Sequence, residues 1–308
     1  MTPDLIVITG PTATGKTALS VEVAKRLGGE IISCDSMQIY RGMDIGTAKV
    51  TPLEQQGVPH YLVDVVDPND NYSTARYQVD ARAVIADIQA RGLVPILVGG
   101  TGLYVDSVLY PMQFRTFDPA IRDRVDKMLE ERGKQGLYDY LQAIDPDTAS
   151  RLYPNDVKRV SRAIEIALSG QSHSTNDRAK PLYHAHIYVL SGDRQEIYDR
   201  IDQRVDRMIE KGLIQEVKAL IDSGVDPHCQ AFQAIAYKET VDYIEGQTGL
   251  DETIALIKKR SRNYAKRQLT WMRRYDAVWL NYKQQNVESI VQNYIHPEGY
   301  VTNHEVIS

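Results

Sequence analysis

Short uninterrupted apolar runs recur along the chain at about residues 4–9, 30–34, 61–66, 94–98, 186–190 and 277–280. Runs such as Ile31-Ile32-Ser33-Cys34 and Pro95-Ile96-Leu97-Val98 lack the alternation of a strand with one wet face, so they predict strands covered on both sides. Between them apolar positions return every three or four residues over about 16–28, 76–91, 101–109, 194–211, 213–222 and 251–274, which predicts helices. Strands and helices in alternation imply an α/β fold, a doubly wound parallel sheet with helices on both faces. From Phe114 to Tyr183 the pattern changes to helical spacing alone, over about 119–134, 136–144, 147–152 and 156–169. That stretch predicts an all-helical insertion, 115–183, in a core formed by 1–114 and 184–308. The polar, turn-rich segment Ser169–Arg178 predicts a loose return linker.

Composition narrows the class only slightly. A chain of 308 residues can bury a full core and still carry an insertion or a second domain. Two cysteines, Cys34 and Cys229, form no disulfide framework and suit a reducing compartment. The first residues, Met-Thr-Pro-Asp-Leu-Ile-Val, lack the basic start of a signal peptide, and no apolar run approaches the roughly 20 residues that span a bilayer. A cytoplasmic protein with no membrane contact is expected. The net charge of -5 disfavours a nucleic-acid partner, but the charge is unevenly distributed. Between Lys258 and Arg274 lie Lys258, Lys259, Arg260, Arg262, Lys266, Arg267, Arg273 and Arg274 with no acid, beside Tyr264 and Trp271. Lys158, Arg159 and Arg162 form a second basic set. Such mixtures suit RNA phosphates and stacked bases, and equally describe a solvated helix face.

The first apolar run leads straight into Gly10-Pro11-Thr12-Ala13-Thr14-Gly15-Lys16-Thr17, the pattern G-x-x-x-x-G-K-T. Its glycines let consecutive N–H groups turn inward on a phosphate chain. Lys16 adds a positive charge, Thr17 a hydroxyl for Mg²⁺, and the following helix the positive end of its dipole. The motif implies a diphosphate or triphosphate ligand on a P-loop NTPase-like core, and leaves the reaction open. In an open α/β sheet ligands lie beyond the carboxyl ends of the strands, which singles out Asp35 after the second run and Thr101 within Gly99-Gly100-Thr101-Gly102. For both, an N-cap or turn role is the competing reading. Two further functions use the same loop. A small-molecule or nucleoside kinase could activate its acceptor through Asp35 and bind metal through Asp64. A nucleotide switch is disfavoured by the absence of Asn-Lys-x-Asp.

Three blocks together resemble the bacterial tRNA dimethylallyltransferases: Gly10–Thr17, the long Asp35-Ser-Met-Gln-Ile-Tyr-Arg-Gly-Met-Asp-Ile-Gly-Thr-Ala-Lys49, and Gly99–Tyr104. Arg159–Glu165, Asp193–Met208 and Tyr264-Ala-Lys-Arg-Gln-Leu-Thr-Trp271 extend the likeness over about residues 4–280. The resemblance implies transfer of a dimethylallyl group from dimethylallyl diphosphate to N6 of the adenosine 3′ of the anticodon. It implies Asp35 as the proton acceptor, with Thr101 and Lys16 assisting, and Gly10–Thr17 with Arg204 as the diphosphate site. Asp35, Ser36, Met37, Gln38 and Thr101 would meet the extruded adenosine. Lys158, Arg159, Arg162, Lys266 and Arg267 would bind the anticodon stem-loop, with Mg²⁺ on Thr17 and a monomer as the working state. The chain departs from the pattern at Ala236-Tyr237-Lys238, where the family often has Gly first. It has no cysteine after Cys229, so the zinc finger of eukaryotic relatives is not expected. His184 and His186, without clustered ligands, read as structural.

Overall fold

A computed structural model describes residues 4–114, 119–169, 180–284 and 286–303. Strands β1 (Leu5–Thr9), β2 (Gly29–Ser33), β3 (His60–Tyr61), β4 (Val94–Gly99), β5 (Ala185–Ser191) and β6 (Val278–Asn281) form one sheet in the order β3-β2-β4-β1-β5-β6. Every neighbouring pair is parallel. The helices are α1 (Lys16–Leu27), α2 (Pro52–Gln55), α3 (Thr74–Ala90), α4 (Gly102–Leu109), α5 (Pro119–Ile144), α6 (Pro146–Ala149) and α7 (Val157–Leu168), then α8 (Arg194–Glu210), α9 (Leu213–Asp222), α10 (Tyr237–Ile244), α11 (Leu250–Met272) and α12 (Val287–Ile295).

The continuous apolar runs follow from burial on both faces. Alternate residues of β1 enter different cores: Leu5 and Val7 pack with residues of α3, α4, α8, α10 and α11, and Ile6 and Ile8 with residues of α1 and α12. Parallel pairing puts the carboxyl ends of β1, β2 and β4 on one sheet edge. The phosphate loop, the Asp35 turn and the Gly99–Gly102 turn leave from that edge.

The chain divides into one compact unit of Met1–Met112 with Lys180–Ser308 and a second of Gln113–Ala179, against expected junctions after residues 114 and 183. The second unit has its own apolar core, including Val125, Leu137, Leu141, Val160 and Ile164, built by α5, α6 and α7. The two helices expected over 119–134 and 136–144 form the single span α5, interrupted at Gly133, whose φ of 66° is non-helical. The predicted return linker lies, from residue 170 onward, outside the described residues.

The strand expected at 61–66 is reduced to the two residues of β3. Leu62 and Asp64 adopt φ values of 60° and 56°, which a strand cannot continue through, and the Asp64 carboxylate pairs with Lys49 at 2.5 Å. Val66 regains only an isolated bridge to Tyr40. Helices α2, α10 and α12 were not foreseen.

Candidate active site

Gly10 leaves β1 with φ 151°, Ala13 and Gly15 have φ of 67° and 84°, and Gly15 caps the start of α1. The loop is braced by side chains. Thr14 Oγ1 donates to the Pro11 carbonyl at 2.9 Å, Arg200 Nε to the Ala13 carbonyl at 2.7 Å, and Lys16 Nζ to the Gly10 and Pro11 carbonyls at 3.0 and 2.7 Å. Pro11 has no N–H, and the Thr12 N–H is given to Gln268 Oε1 at 3.0 Å. The amides left for a phosphate therefore run from Ala13 to Thr17, a shorter set than the motif suggests.

A cavity of about 290 Å³ opens on this loop, lined by Thr12, Ala13, Gly15, Lys16 and Thr17. Opposite stand Arg200, Arg204 and Arg207, which share one face of α8 through their i, i+4, i+7 spacing. Asp35 is the one acid among the lining residues. Such a cavity favours a multiply charged anion. Burial and the neighbouring Arg204 guanidinium lower the Lys16 pKa to about 7, with Asp35 acting in the opposite sense. Arg204 is itself lowered by burial, and its Nη2 donates to the Thr47 carbonyl at 3.2 Å.

A second cavity of about 300 Å³ adjoins the first, walled by Ile201, Val205, Met208, Ile235 and Ile257 and edged by Ser36, Met37 and Arg267. Thr12, Asp35, Arg204 and Tyr264 line both cavities and so form the partition between them. At that partition Asp35 Oδ1 accepts the Met37 and Gln38 N–H groups at 2.9 and 3.4 Å. Oδ2 has no protein donor among the described residues. The competing turn role and the chemical role of Asp35 thus fall on different oxygens. Burial and the Asp35 charge push the Tyr264 phenol up to about 12.

Thr101 stands behind this partition and is absent from both linings. Although it occupies the N-cap position of α4, it makes no side-chain cap bond. Its Oγ1 instead accepts the Ser36 N–H at 3.2 Å, and its N–H donates to the Cys34 carbonyl. Gln38 lines the phosphate cavity, while its amide reaches the Thr47 and Ala48 carbonyls at 3.4 Å. Burial pushes the Cys34 thiol, beside the site, well above its usual range, which keeps it protonated.

The Asp35–Lys49 block is held from a distance. Glu216 of α9 accepts the N–H groups of Asp44, Ile45 and Gly46 and the Tyr237 hydroxyl, the last at 2.5 Å. Lys49 is 8% exposed and joins the Tyr40 carbonyl to Asp44 and Asp64. Asp64 lines neither cavity. Ala236, at the position where the family often has Gly, adopts φ 81° and ψ −40°, lines the second cavity and is 2% exposed.

Much of the 258–274 basic run is internally neutralised. Lys258 pairs with Asp206 at 2.6 Å, Arg262 with Asp202 at 2.5 Å, Arg260 with Glu239, and Arg274 with Asp106 at 3.7 Å. Lys266 and Arg267 are exposed and have no acidic partner among the described residues; Arg267 lies over the Tyr264 ring at 5.6 Å. In the helical unit Lys158, Arg159 and Arg162 are exposed on α7, Arg159 beside Asp156 and Arg162 held by the buried Glu165 at 2.9 Å. His186 stacks on Tyr300 at 3.7 Å, a packing role. Arg200 and Arg207 escaped the sequence reading, although their spacing from Arg204 is visible in it. Gln268 also escaped it, because nothing local marks its partners.

Fold and site together define a phosphate-loop α/β protein in which an anion cavity and a second, apolar-walled cavity meet at one carboxylate. The chain belongs to the IPP transferase family: that family's model matches residues 38–275, and an isopentenyl transferase model matches residues 3–69. The chain is 45% identical over 300 residues to the tRNA dimethylallyltransferase of Exiguobacterium, covering 96% of each chain. It is 50% identical over 284 residues to that of Bacillus cytotoxicus, covering 90% of each. The tRNA isopentenylpyrophosphate transferase structure from Bacillus halodurans matches with TM-score 0.71 and 44% identity over 96% of both chains. A eukaryotic dimethylallyltransferase acting on tRNA matches with TM-score 0.81 and 28% identity, over 99% of this chain and 82% of that one.

Proposed function

We propose that this prenyltransferase moves a dimethylallyl group from dimethylallyl diphosphate to N6 of the adenosine 3′ of the anticodon in tRNA. The observation that carries the reading is Asp35 on the partition between the two cavities, with Oδ2 free of protein donors among the described residues. The exocyclic amine is a weak nucleophile because its lone pair is delocalised into the ring. As its nitrogen bonds to the allylic carbon, the bond from that carbon to the diphosphate oxygen breaks, and Asp35 accepts the amine proton. Lys16, Arg204 and the loop amides stabilise the charge gathering on the leaving diphosphate. Arg200 and Arg207 extend the same cationic wall.

Thr17 lines the phosphate cavity in the first turn of α1. No group of three His, Cys, Asp or Glu among the described residues is arranged to hold a metal. One protein hydroxyl together with phosphate oxygens and water is a donor set that suits Mg²⁺, so Thr17 would hold the ion. Held there, the ion would neutralise diphosphate charge. The adenosine, extruded from its loop, would enter by the cavity edged by Ser36 and Met37. Thr101 supports that edge through the Ser36 N–H, and Gln38 faces the phosphate side. Lys266 and Arg267, with Lys158, Arg159 and Arg162 of the helical unit, would contact RNA phosphates. No helix among the described residues is long and apolar enough to cross a membrane. A monomer working in the cytoplasm completes the proposal.

The decisive experiment incubates the protein with Mg²⁺, unmodified tRNA and labelled dimethylallyl diphosphate, beside a parallel reaction with labelled ATP. Label should pass to tRNA from the prenyl donor only. ATP turnover stimulated by a small acceptor would overturn the reading in favour of a kinase. Against that alternative, Asp64, its metal candidate, is paired with Lys49.

A further inference from the structure

Gln268 joins the donor half of the site to the acceptor half. It lies on α11, 6% exposed, and both ends of its amide are engaged. Oε1 accepts the Thr12 N–H and Nε2 donates to the Gly100 carbonyl, each at 3.0 Å. Chemistry fixes the amide orientation, because an N–H meets only the oxygen and a carbonyl only the NH₂. Gly100 makes room for it: a Cβ there would stand 2.1 Å from Nε2. Gln268 and Gly100 themselves line the phosphate cavity; the second cavity is reached through Thr12, which borders both, and through Thr101, next to Gly100, which holds the Ser36 edge. One turn earlier on the same helix, Tyr264 completes the partition beside Asp35.

We infer that Gln268 is a positioning residue, which sets the separation between the allylic carbon on the phosphate loop and the acceptor amine, and keeps water from the gap between them. It stands on the lining of the phosphate cavity and acts through its bonds to Thr12 and Gly100. The inference rests on the prenyl-transfer reading above. When the tie is cut, a second reaction opens. A water oxygen bonds to the allylic carbon, the carbon–oxygen bond to diphosphate breaks, and the water proton passes to Asp35 or solvent, giving the five-carbon alcohol and diphosphate. Loss of alignment should thus appear as slower transfer accompanied by uncoupled hydrolysis.

Two replacements separate the tie from simple filling of space. Gln268→Glu keeps the acceptor for Thr12 but loses the donor to Gly100, and Gln268→Met keeps only the volume. With wild-type enzyme as control, single-turnover transfer at saturating tRNA and dimethylallyl diphosphate should fall about 10-fold in Gln268→Glu and about 100-fold in Gln268→Met. Affinity for tRNA should stay within about threefold in both variants and affinity for inorganic diphosphate within about threefold in Gln268→Met, whereas Gln268→Glu adds a carboxylate to the phosphate-cavity lining and should bind diphosphate more weakly, so its transfer is compared at saturating donor. The share of donor released as alcohol should rise in the same order. Should Gln268→Met fail to fold, Gly100→Ala, which displaces the amide, should give the same pair of defects. Transfer within threefold of wild type, or a loss explained wholly by weaker diphosphate binding with no added alcohol, overturns the inference. A wild-type enzyme that does not transfer at all overturns the prenyl-transfer reading instead.

Discussion

Replacing Asp35 with Asn tests the proposed proton acceptance separately from the turn bonds that Asp35 makes. The Asn side chain keeps an oxygen where Oδ1 receives the Met37 and Gln38 N–H groups, so the turn after β2 should survive. Only the second oxygen changes, from a free carboxylate oxygen to an NH₂ that cannot take a proton. A general base contributes about 10²- to 10⁴-fold, so the single-turnover rate should fall by that factor, or about 3–5 kcal/mol of barrier. Affinities should change little, because removing the one acid of the phosphate cavity has opposing effects. It strengthens the positive field on the diphosphate, and it removes the partner that favours a charged Lys16. Asp35→Ala would confuse the result by also losing both turn bonds. The assay is rapid-quench transfer with both substrates saturating, together with separate binding titrations. A rate for Asp35→Asn within a few-fold of wild type would show that another group or a water takes the proton.

Other consequences follow from the same geometry. Lys16, lowered to about 7, is largely neutral in the free protein above that pH, so diphosphate affinity should weaken by up to tenfold per pH unit above about 7.5; Lys16→Gln should flatten the profile in titrations from pH 7 to 9. Reversing Lys266 and Arg267 should weaken tRNA binding and lower its salt dependence by roughly one per lost phosphate contact, as should reversing Arg159 and Arg162. Neutralising Lys258, already paired with Asp206, should leave the slope unchanged, and an equal effect there would discount the distinction. Ala236→Gly relieves a strained backbone costing roughly 1–3 kcal/mol, against about 0.8 for the lost methyl and about 0.4–1 for added unfolded-state freedom. Urea unfolding should show unchanged or slightly raised stability, and a loss beyond about 1 kcal/mol would contradict the strain.

The sheet was legible because parallel strands buried on both faces leave continuous apolar runs, as in β1, β2, β4 and β5. The same rule overextended β3: residues 62–66 are apolar enough, but the Lys49 pairing with Asp64 and the positive φ at Leu62 and Asp64 are not written in hydrophobic spacing. Within the site, Gly10–Thr17 and Asp35 were readable from local order and from their place at strand ends. Thr101 lies in the turn after β4 that strand order singles out, but its bond to the Ser36 N–H from behind the partition joins residues 65 apart and leaves no mark in local order. The charged pattern of α8 concealed Arg200 and Arg207 among ordinary surface residues. Likewise, no spacing rule reaches Gln268, whose two partners lie 256 and 168 residues away.

Strand order also bears on how the chain is made. In the finished sheet β1 lies between β4 and β5, with all five of its residues buried. Its β4 neighbour is synthesised before the helical unit, and its β5 neighbour after it. Between Met112 and the end of β5 at Ser191 about 80 residues must be added, which takes roughly 4–16 s at about 5–20 residues per second. During that interval one side of β1 presents unpaired amides and carbonyls on an apolar strand, the kind of edge that recruits other chains. The inserted unit therefore sets the period in which a ribosome-bound chain is open to misassembly. Lengthening that unit should raise dependence on chaperones without altering the completed enzyme.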